Sequence, residues 1–271
     1  MTSSEDIYQV TVVKYGTRTT TRAEVFLNFA LYHEDDGPLE MDYFFWVARN
    51  RSRTVVIDTG FSPEGGKSRG RSLLADVGDL LAHFRGDPSQ PPVVVLTHAH
   101  YDHAGNLGLF PESKVFMAER ELAFWTGRHA RRALFHHSVD EEALAYLGTL
   151  EKDGRLALFD GSVSPAPGIE VVEVGGHTPG QCVVKVKTSE GTVLLASDAV
   201  HYYEEYERAM LFSSVADLVK MYEAFDYIRD MTSSGEVQHL VAGHDPSTLA
   251  RFRPVTGQYA ELAATIGRLD A

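Results

Sequence analysis

The sequence is poor in cysteine, in long apolar runs and in basic residues. Its 271 residues include a single cysteine, Cys182, so neither an intrachain disulfide nor a CxxC zinc or redox site can form. No segment approaches the roughly eighteen apolar residues of a membrane span, and the N-terminus lacks the basic start and apolar stretch of an export signal. We therefore expect a cytoplasmic protein that does not bind membranes.

The charge balance narrows the class of partner. The chain has 25 Lys and Arg against 38 Asp and Glu, a formal net charge of -13. Nucleic acids and anionic membranes require clustered basic residues, so we expect neither as a partner. A small-molecule substrate fits better, and bound divalent cations would offset part of the negative charge locally. With 44% hydrophobic residues the chain can bury a large core, and we expect residues 1–271 to form one domain.

Strand and helix patterns alternate along the chain. The segments DIYQVTVVKYGT, MDYFFWVARN and RTVVIDTG predict strands, and SRGRSLLADVGDLLAHF has the spacing of a helix. VVVLTHAH begins with a continuous apolar run, which is typical of a strand covered on both faces. KVFMAERELAFWTG predicts a short strand followed by a helix. Residues 120–150 predict a helical insertion that packs over the domain.

The later part of the chain repeats this theme. GIEVVEVGGHTPGQCVVKVKTSEGTVLLASDAV predicts three strands, and VADLVKMYEAFDYIRDM predicts an amphipathic helix. HLVAGHDP predicts a last short strand, followed by a C-terminal helix from Gly257 onward. The pattern predicts an α/β protein of two halves, whose sheets pack face to face with helices outside.

One six-residue window concentrates groups that bind metals. In THAHYDH, His98 and His100 lie two residues apart at the end of a strand, so their side chains point the same way. Asp102 and His103 follow where the chain leaves the strand. Such groups are costly to bury together without a compensating partner. Two sets of donors that face different points predict two metal ions.

This HxHxDH pattern resembles the signature of the metallo-β-lactamase superfamily. Three further landmarks of that family follow in the expected order: GGHTPGQ with His177, LLASDAV with Asp198, and LVAGHDP with His244. The resemblance implies a four-layer αββα sandwich of two mixed sheets. It implies that one metal is held by His98, His100 and His177, and that the second is held by Asp102, His103 and His244. Asp198 would bridge the two metals, and Asp58 of VVIDTG would orient a ligand histidine.

The donor types restrict the metals, although each residue has a structural alternative. Imidazole and carboxylate accept Zn²⁺, Fe, Mn or Co, and we expect two divalent ions, with Zn²⁺ preferred. Each residue taken alone can also be interpreted as structural. His177 and Asp58 could lie in turns, Asp198 could cap the N-terminus of a helix, and His244 could cap a turn before Pro246. We interpret His136 and His137 as solvated surface or pocket rim.

Within the superfamily, the resemblance favours the N-acyl homoserine lactonases, which are quorum-quenching enzymes. Members that hydrolyse β-lactams lack the bridging aspartate and often use a cysteine ligand, but Cys182 is wrongly placed for one. Flavodiiron reductases have an acid in place of His100, and enzymes of the RNase Z kind need a basic surface. Thioester hydrolysis of the glyoxalase II type and a non-catalytic metal-binding role remain alternatives.

The expected reaction is the opening of a lactone ring by a hydroxide held between the metals. The lactonases have a tyrosine three residues after the bridging aspartate, and His201 occupies that position here, followed by Tyr202. We expect one of these two to stabilise the charge on the substrate oxygen, with Asp102 and Asp198 as the other catalytic residues. The aromatic residues of 26–46 suit a substrate wall, ordinary core packing or a homodimer interface.

Overall fold

The computed structural model describes residues 6–87 and 89–269, which form two mixed β-sheets. The first seven strands are β1 Gln9–Thr21, β2 Pro38–Arg49, β3 Thr54–Ile57, β4 Ser72–Leu73, β5 Val93–Val95, β6 Val115–Ala118 and β7 Leu156–Phe159. The next five are β8 Ser162–Ala166, β9 Ile169–Glu173, β10 Cys182–Thr188, β11 Gly191–Ser197 and β12 His239–Ala242. The last two are β13 Arg253–Pro254 and β14 Ala263–Ile266.

The helices occupy the connections between these strands. They are α1 Arg22–Val25, α2 Pro63–Ser68, α3 Val77–Phe84, α4 Tyr101–Ala104, α5 Glu119–Trp125, α6 Ala133–His136, α7 Glu141–Lys152, α8 Tyr203–Arg208 and α9 Leu218–Ser233. Short 3₁₀ turns cover Phe29–Tyr32, Leu107–Leu109 and Leu249–Arg251. α9 begins after Asp217, whose carboxylate accepts hydrogen bonds from the backbone N–H groups of Val219 and Lys220. No helix in the described ranges is long and apolar enough to cross a bilayer.

The strand order brings several strand ends to one edge of each sheet. The larger sheet runs β13-β14-β1-β2-β3-β5-β6-β7, with β4 beside β1, and β3, β5, β6 and β7 are parallel. The smaller sheet runs β12-β11-β10-β9-β8, and β9, β11 and β12 share one direction. Loops that follow the carboxyl ends of parallel strands therefore converge.

Alternating side chains build the layers. Phe44, Trp46 and Ala48 of β2 join the core between the sheets, whereas Phe45 and Val47 face the helices outside the larger sheet. On the smaller sheet, Val193 and Leu195 point inward while Leu194 and Ala196 pack under α9. The strands are apolar on both faces because each sheet is covered on both sides. The result is the predicted four-layer αββα sandwich.

Two predictions at the C-terminal end of the chain were wrong. A helix was expected from Gly257 onward, but Ala263–Ile266 form β14, which pairs antiparallel with β1 and buries Ala263, Ala264 and Ile266. Pairing with a sheet edge overrides the helical propensity of alanine. For the same reason β12 is not the last strand, since β13 and β14 follow it in the chain.

The helix predicted across SRGRSLLADVGDLLAHF is shorter than expected. Ser72–Leu73 pair with β1, and α3 starts only at Val77, where Asp76 accepts a hydrogen bond from the backbone N–H of Asp79. The expected insertion at residues 120–150 contains α6 and parts of α5 and α7. That residues 1–271 form a single domain stays a prediction.

Gly243 at the end of β12 is a test of this packing. A Cβ there would lie 2.5 Å from the carbonyl oxygen of Ser197, at the end of the neighbouring strand. We expect Gly243→Ala to lower the free energy of unfolding by about 1–3 kcal/mol in urea titrations. Gly148→Ala is the control, because a Cβ in this part of α7 meets nothing within 4 Å and should stabilise the helix by about 0.5–1 kcal/mol. Equal effects at the two positions would contradict the packing.

Candidate metal centre

Seven buried side chains converge from strand ends of both sheets. His98, His100, Asp102 and His103 follow β5, His177 follows β9, Asp198 follows β11, and His244 follows β12. Their donor atoms form two groups, within each of which the atoms lie inside 4.8 Å of one another. One group is His98, His100, His177 and Asp198, and the other is Asp102, His103 and His244. The structure thus brings together all seven residues that the sequence singled out.

The carboxylate of Asp198 lies between the two groups. Its Oδ2 atom is 3.2 Å from Nε2 of His177 and 3.7 Å from Nε2 of His98. Its Oδ1 atom is 3.2 Å from Nε2 of His103 and 3.1 Å from Nε2 of His244. Asp102 is on the Oδ1 side, 3.9 Å from the same Nε2 atoms of His103 and His244. Each oxygen of Asp198 therefore faces one donor group, which is the arrangement a bridging ligand needs.

Hydrogen bonds fix the orientation of the imidazoles. The Nδ1 atom of His103 donates to Asp58 at 2.7 Å, that of His177 to the carbonyl of Ser214 at 2.7 Å, and that of His244 to the carbonyl of Asp42 at 2.8 Å. A neutral ring, the form that binds a metal, keeps a lone pair on Nε2 when it donates from Nδ1. The three Nε2 atoms are therefore set as acceptors that face the centre, as in metal sites generally.

Asp58 is placed as the resemblance implied. It follows β3 with a positive φ of 60°, an uncommon backbone conformation for a residue other than glycine. It also accepts hydrogen bonds from the backbone N–H and the hydroxyl of Thr97, both at 2.8 Å. A buried carboxylate with these donors links β3 to the His98 loop and orients His103.

The donor set fits two divalent metal ions. The Nε2 atoms of His98, His103 and His244 and the Oδ1 atom of Asp198 are buried and have no hydrogen-bond partner. Oδ1 lies close to two of these nitrogens, but without the geometry of a hydrogen bond. Buried polar atoms are rarely left unpaired, so several of them on both sides of Asp198 indicate bound cations. Imidazole and carboxylate without thiolate suit divalent transition metals in general.

Burial and charge set the protonation of the ligands. Burial lowers the pKa of His98 and His100 well below the usual range and that of His177 to about 3, so these rings are neutral as metal ligands must be. Burial also lowers the pKa of His103, but the carboxylates of Asp198, Asp58 and Asp102 outweigh it and raise the pKa well above the usual value. The acid-rich side of the centre thus attracts positive charge.

His201 and Tyr202, the two residues between which the sequence could not choose, lie in different environments. His201 is fully buried, its Nε2 lies 3.2 Å from Oδ2 of Asp198, and its Nδ1 lies 3.1 Å from Glu205. The carboxylates of Glu205 and Asp198 outweigh burial and raise the pKa of His201 to about 9. The hydroxyl of Tyr202 donates instead to the carbonyl of Glu40 at 3.2 Å. His201 therefore contacts the centre through Asp198.

Two buried glutamates were missed by the sequence reasoning. Glu121 accepts hydrogen bonds from the backbone N–H groups of Ala99 and Gly180 and from the side chains of Trp125 and Thr178. It thus ties the loop of His98 and His100 to the loop of His177. Glu205 accepts from the backbone N–H groups of His201, Tyr202 and Phe212. Each lies among other charged residues in a short helix. In a sequence, that pattern is typical of a solvent-exposed helix face, which is why neither glutamate was recognised.

The positions of Asp198, His177 and His244 exclude the cap and turn roles that the sequence left open. Asp198 is not a helix N-cap, because α8 begins after Tyr202. His177 and His244 follow strands and present Nε2 to Asp198 rather than to solvent. His136 is exposed and contacts Glu141, and His137 lines the rim of the cavities beside the centre.

Two cavities meet at the metal centre. One, of about 510 Å³, includes Asp102 and Asp198 in its wall together with Tyr43, Tyr101 and the arginines Arg18, Arg69 and Arg71. The other, of about 520 Å³, is largely apolar, with Leu27, Phe124, Trp125, Leu134 and Phe135 among its lining residues. Both include His100 and His177. A small molecule in either cavity would contact the centre.

The chain is similar in sequence to known lactonases. The chain is 26% identical over 187 residues to the N-acyl homoserine lactonase AttM of Rhizobium radiobacter, which covers 67% of this chain and 68% of the relative. It is 25% identical over 138 residues to the N-acyl homoserine lactonase AiiA of Bacillus thuringiensis subsp. kurstaki, covering 50% of this chain and 49% of that protein.

Solved structures share the fold at lower sequence identity. A quorum-quenching N-acyl homoserine lactone lactonase superposes with a TM-score of 0.76 at 18% identity, over 93% of this chain and 97% of that chain. The hydrolase AbOPH of the beta lactamase superfamily superposes with a TM-score of 0.72 at 18% identity, over 100% of this chain and 97% of that one. The sequence profile described as "Metallo-beta-lactamase superfamily" matches residues 42–225, which include six of the seven donors. The chain belongs to the metallo-β-lactamase superfamily.

Proposed function

We propose that the protein is a dinuclear metal-dependent hydrolase that opens the ring of an N-acyl homoserine lactone or a related lactone, with Zn²⁺ as the metal. The observation that carries this proposal is the carboxylate of Asp198, whose two oxygens each face one group of imidazoles. The curated relatives named above are lactonases, which supports a lactone as the substrate. The cavities that meet at the centre are of a size for a small molecule.

The metals supply Lewis acidity for the substrate carbonyl and lower the pKa of water toward neutrality when they are bound. His98, His100 and His177 would hold one metal, Asp102, His103 and His244 the other, and Asp198 would bridge. The protein would hold these donors rigidly and transfer the proton that the attacking water releases. In this proposal Asp198 would accept a proton from the attacking water and pass it to the leaving alkoxide.

His201 acts on this proton path through Asp198. Its Nε2 is within 3.2 Å of Oδ2 of Asp198, and Glu205 holds the ring from the other side. Phe212 stacks on the ring at a centroid distance of 3.8 Å, which fixes the plane of the imidazole. We infer that His201 positions Asp198 and stabilises its charge during the reaction.

Replacement of Asp198 tests the bridging role. We expect Asp198→Asn to abolish lactone hydrolysis and to reduce bound metal, because an amide offers only one oxygen to two cations. His103→Ala should behave in the same way. Elemental analysis and a lactone assay measure both effects, and His129→Ala at an exposed histidine is the control. Unchanged turnover and metal content in Asp198→Asn would refute the bridging role.

A matched pair of variants separates His201 from Tyr202. We expect His201→Phe to lower kcat roughly 100-fold or more, since proton transfer contributes about that much and the transfer through Asp198 depends on the position of its carboxylate. Tyr202→Phe removes only the hydrogen bond to Glu40, so activity should persist with a loss of about 1 kcal/mol in the free energy of unfolding. The reverse pattern would make the phenol of Tyr202 the functional group.

A substrate panel tests the reaction class. We expect higher kcat/KM for N-acyl homoserine lactones and simple lactones than for a glutathione thioester or a phosphodiester. Preferential thioester cleavage would instead place the protein with the glyoxalase II type. If protein purified without chelator holds no metal, a binding role without turnover replaces the proposal.

A further inference from the structure

We propose that the substrate carries an anionic group, a carboxylate, which Arg18 and Arg71 bind in the cavity beside the metal centre. This inference rests on the proposed lactone hydrolysis and names a class of substrate for the same site. It concerns the cavity that Asp102 and Asp198 share with three arginines.

The three arginines of this cavity differ in their partners. Arg69 forms an ion pair with Asp140 at 2.8 Å and donates further hydrogen bonds to the carbonyls of His137 and Val139. Its guanidinium also lies over the ring of Tyr101, at 4.1 Å from the centroid. Its charge is therefore neutralised within the protein, and its role is structural.

Arg71 is held in place without an acidic partner. Its Nε donates to the hydroxyl of Tyr101 at 3.0 Å and its Nη1 to the carbonyl of Arg69 at 2.6 Å. Both acceptors are neutral, and across residues 6–87 and 89–269 no carboxylate forms an ion pair with it. A guanidinium whose orientation is fixed while its charge stays uncompensated is preorganised for an anionic ligand.

Among the residues that the structure describes, Arg18 has fewer hydrogen-bond partners than Arg71. It lies on β1, opposite Met41 of β2, and lines the same cavity. Its Nε is buried and has no hydrogen-bond partner, and within the described part of the chain the residue makes no ion pair. A buried N–H group without an acceptor is costly, so its retention at a cavity wall indicates a ligand that supplies the acceptor.

The acidic side chains of the cavity wall do not neutralise the positive charges of Arg18 and Arg71. Asp102 and Asp198 belong to the metal donors, and bound cations would offset their charge. Glu24 also lines the cavity, but its carboxylate accepts a hydrogen bond from the hydroxyl of Thr20 and pairs with no described arginine. With metals in place, the cavity would be positive although the whole chain has a net charge of -13. Arginine forks match the two oxygens of a carboxylate.

The test compares substrates that differ only in charge. We would measure kcat/KM for malonyl, succinyl and glutaryl homoserine lactones, each beside the neutral lactone in which the terminal carboxylate is an amide. The series varies the distance between the anion and the ring. The proteins are the metal-loaded wild type, Arg18→Gln, Arg71→Gln, the double variant, and Arg131→Gln as an exposed control.

We expect the wild type to prefer at least one carboxylate over its amide by tenfold or more. Arg18→Gln and Arg71→Gln should each lower the ratio of kcat/KM for that carboxylate to kcat/KM for its amide roughly 10- to 100-fold, mainly through the KM of the carboxylate. The ratio between the two substrates is independent of the amount of folded protein, so a partly unfolded variant still gives an answer. Equal kcat/KM for each pair in the wild type, or an equal loss for both substrates in the variants, would overturn the inference.

Failure of the proposed function gives a different result. If neither member of any pair is hydrolysed while a neutral thioester is, the lactone proposal fails. Calorimetric titration with the same carboxylates and amides then decides the anion site by itself. Tighter binding of a carboxylate that is lost in the double variant supports the site, and equal binding of carboxylate and amide contradicts it.

Discussion

The carboxylate of Asp198 is surrounded by imidazole nitrogens from both donor groups and from His201, and the rest of the site depends on this contact. Its oxygens lie 3.1 to 3.2 Å from the Nε2 atoms of His103, His177, His201 and His244, all of them buried. Imidazole nitrogens and carboxylate oxygens at such distances gain little without a proton or a cation between them. Divalent metals satisfy both kinds of donor at once, which is why so many costly groups can be buried at one place.

The fold makes this arrangement rigid. The donors leave the ends of β5, β9, β11 and β12, strands that each bury residues in the core. The connecting loops are then tied to one another by side chains that carry no metal. Glu121 joins two of the loops, and Asp58 joins β3 to His103. Loops braced in this way hold ligands in place more firmly than loops that are free at the surface, and such preorganisation is what an enzyme needs from its scaffold.

The sequence revealed the donors far better than their supports. His98, His100, Asp102 and His103 occupy one short window, and local spacing is visible in a sequence. Continuous apolar runs also predicted the strands covered on both faces. By contrast, Glu121 gains its meaning from Gly180, which is distant in the chain, and among the charged residues of α5 it looks like a solvent-exposed acid. The C-terminal strand β14 was missed because its pairing with β1 spans almost the entire chain and opposes its local helical propensity. Arg18 likewise shows no local sign of a ligand.

The residues around the metal centre also determine which small molecules can reach it. One cavity at the centre is largely apolar and the other contains arginines, so the two present different chemical groups to a small molecule. All of this depends on two cations flanking Asp198. Anomalous diffraction at the metal absorption edges, on crystals of protein purified without chelator, tests that claim most directly. The account predicts two peaks, one on each side of the Asp198 carboxylate, among the donors described above. A single peak, or peaks remote from Asp198, would contradict it.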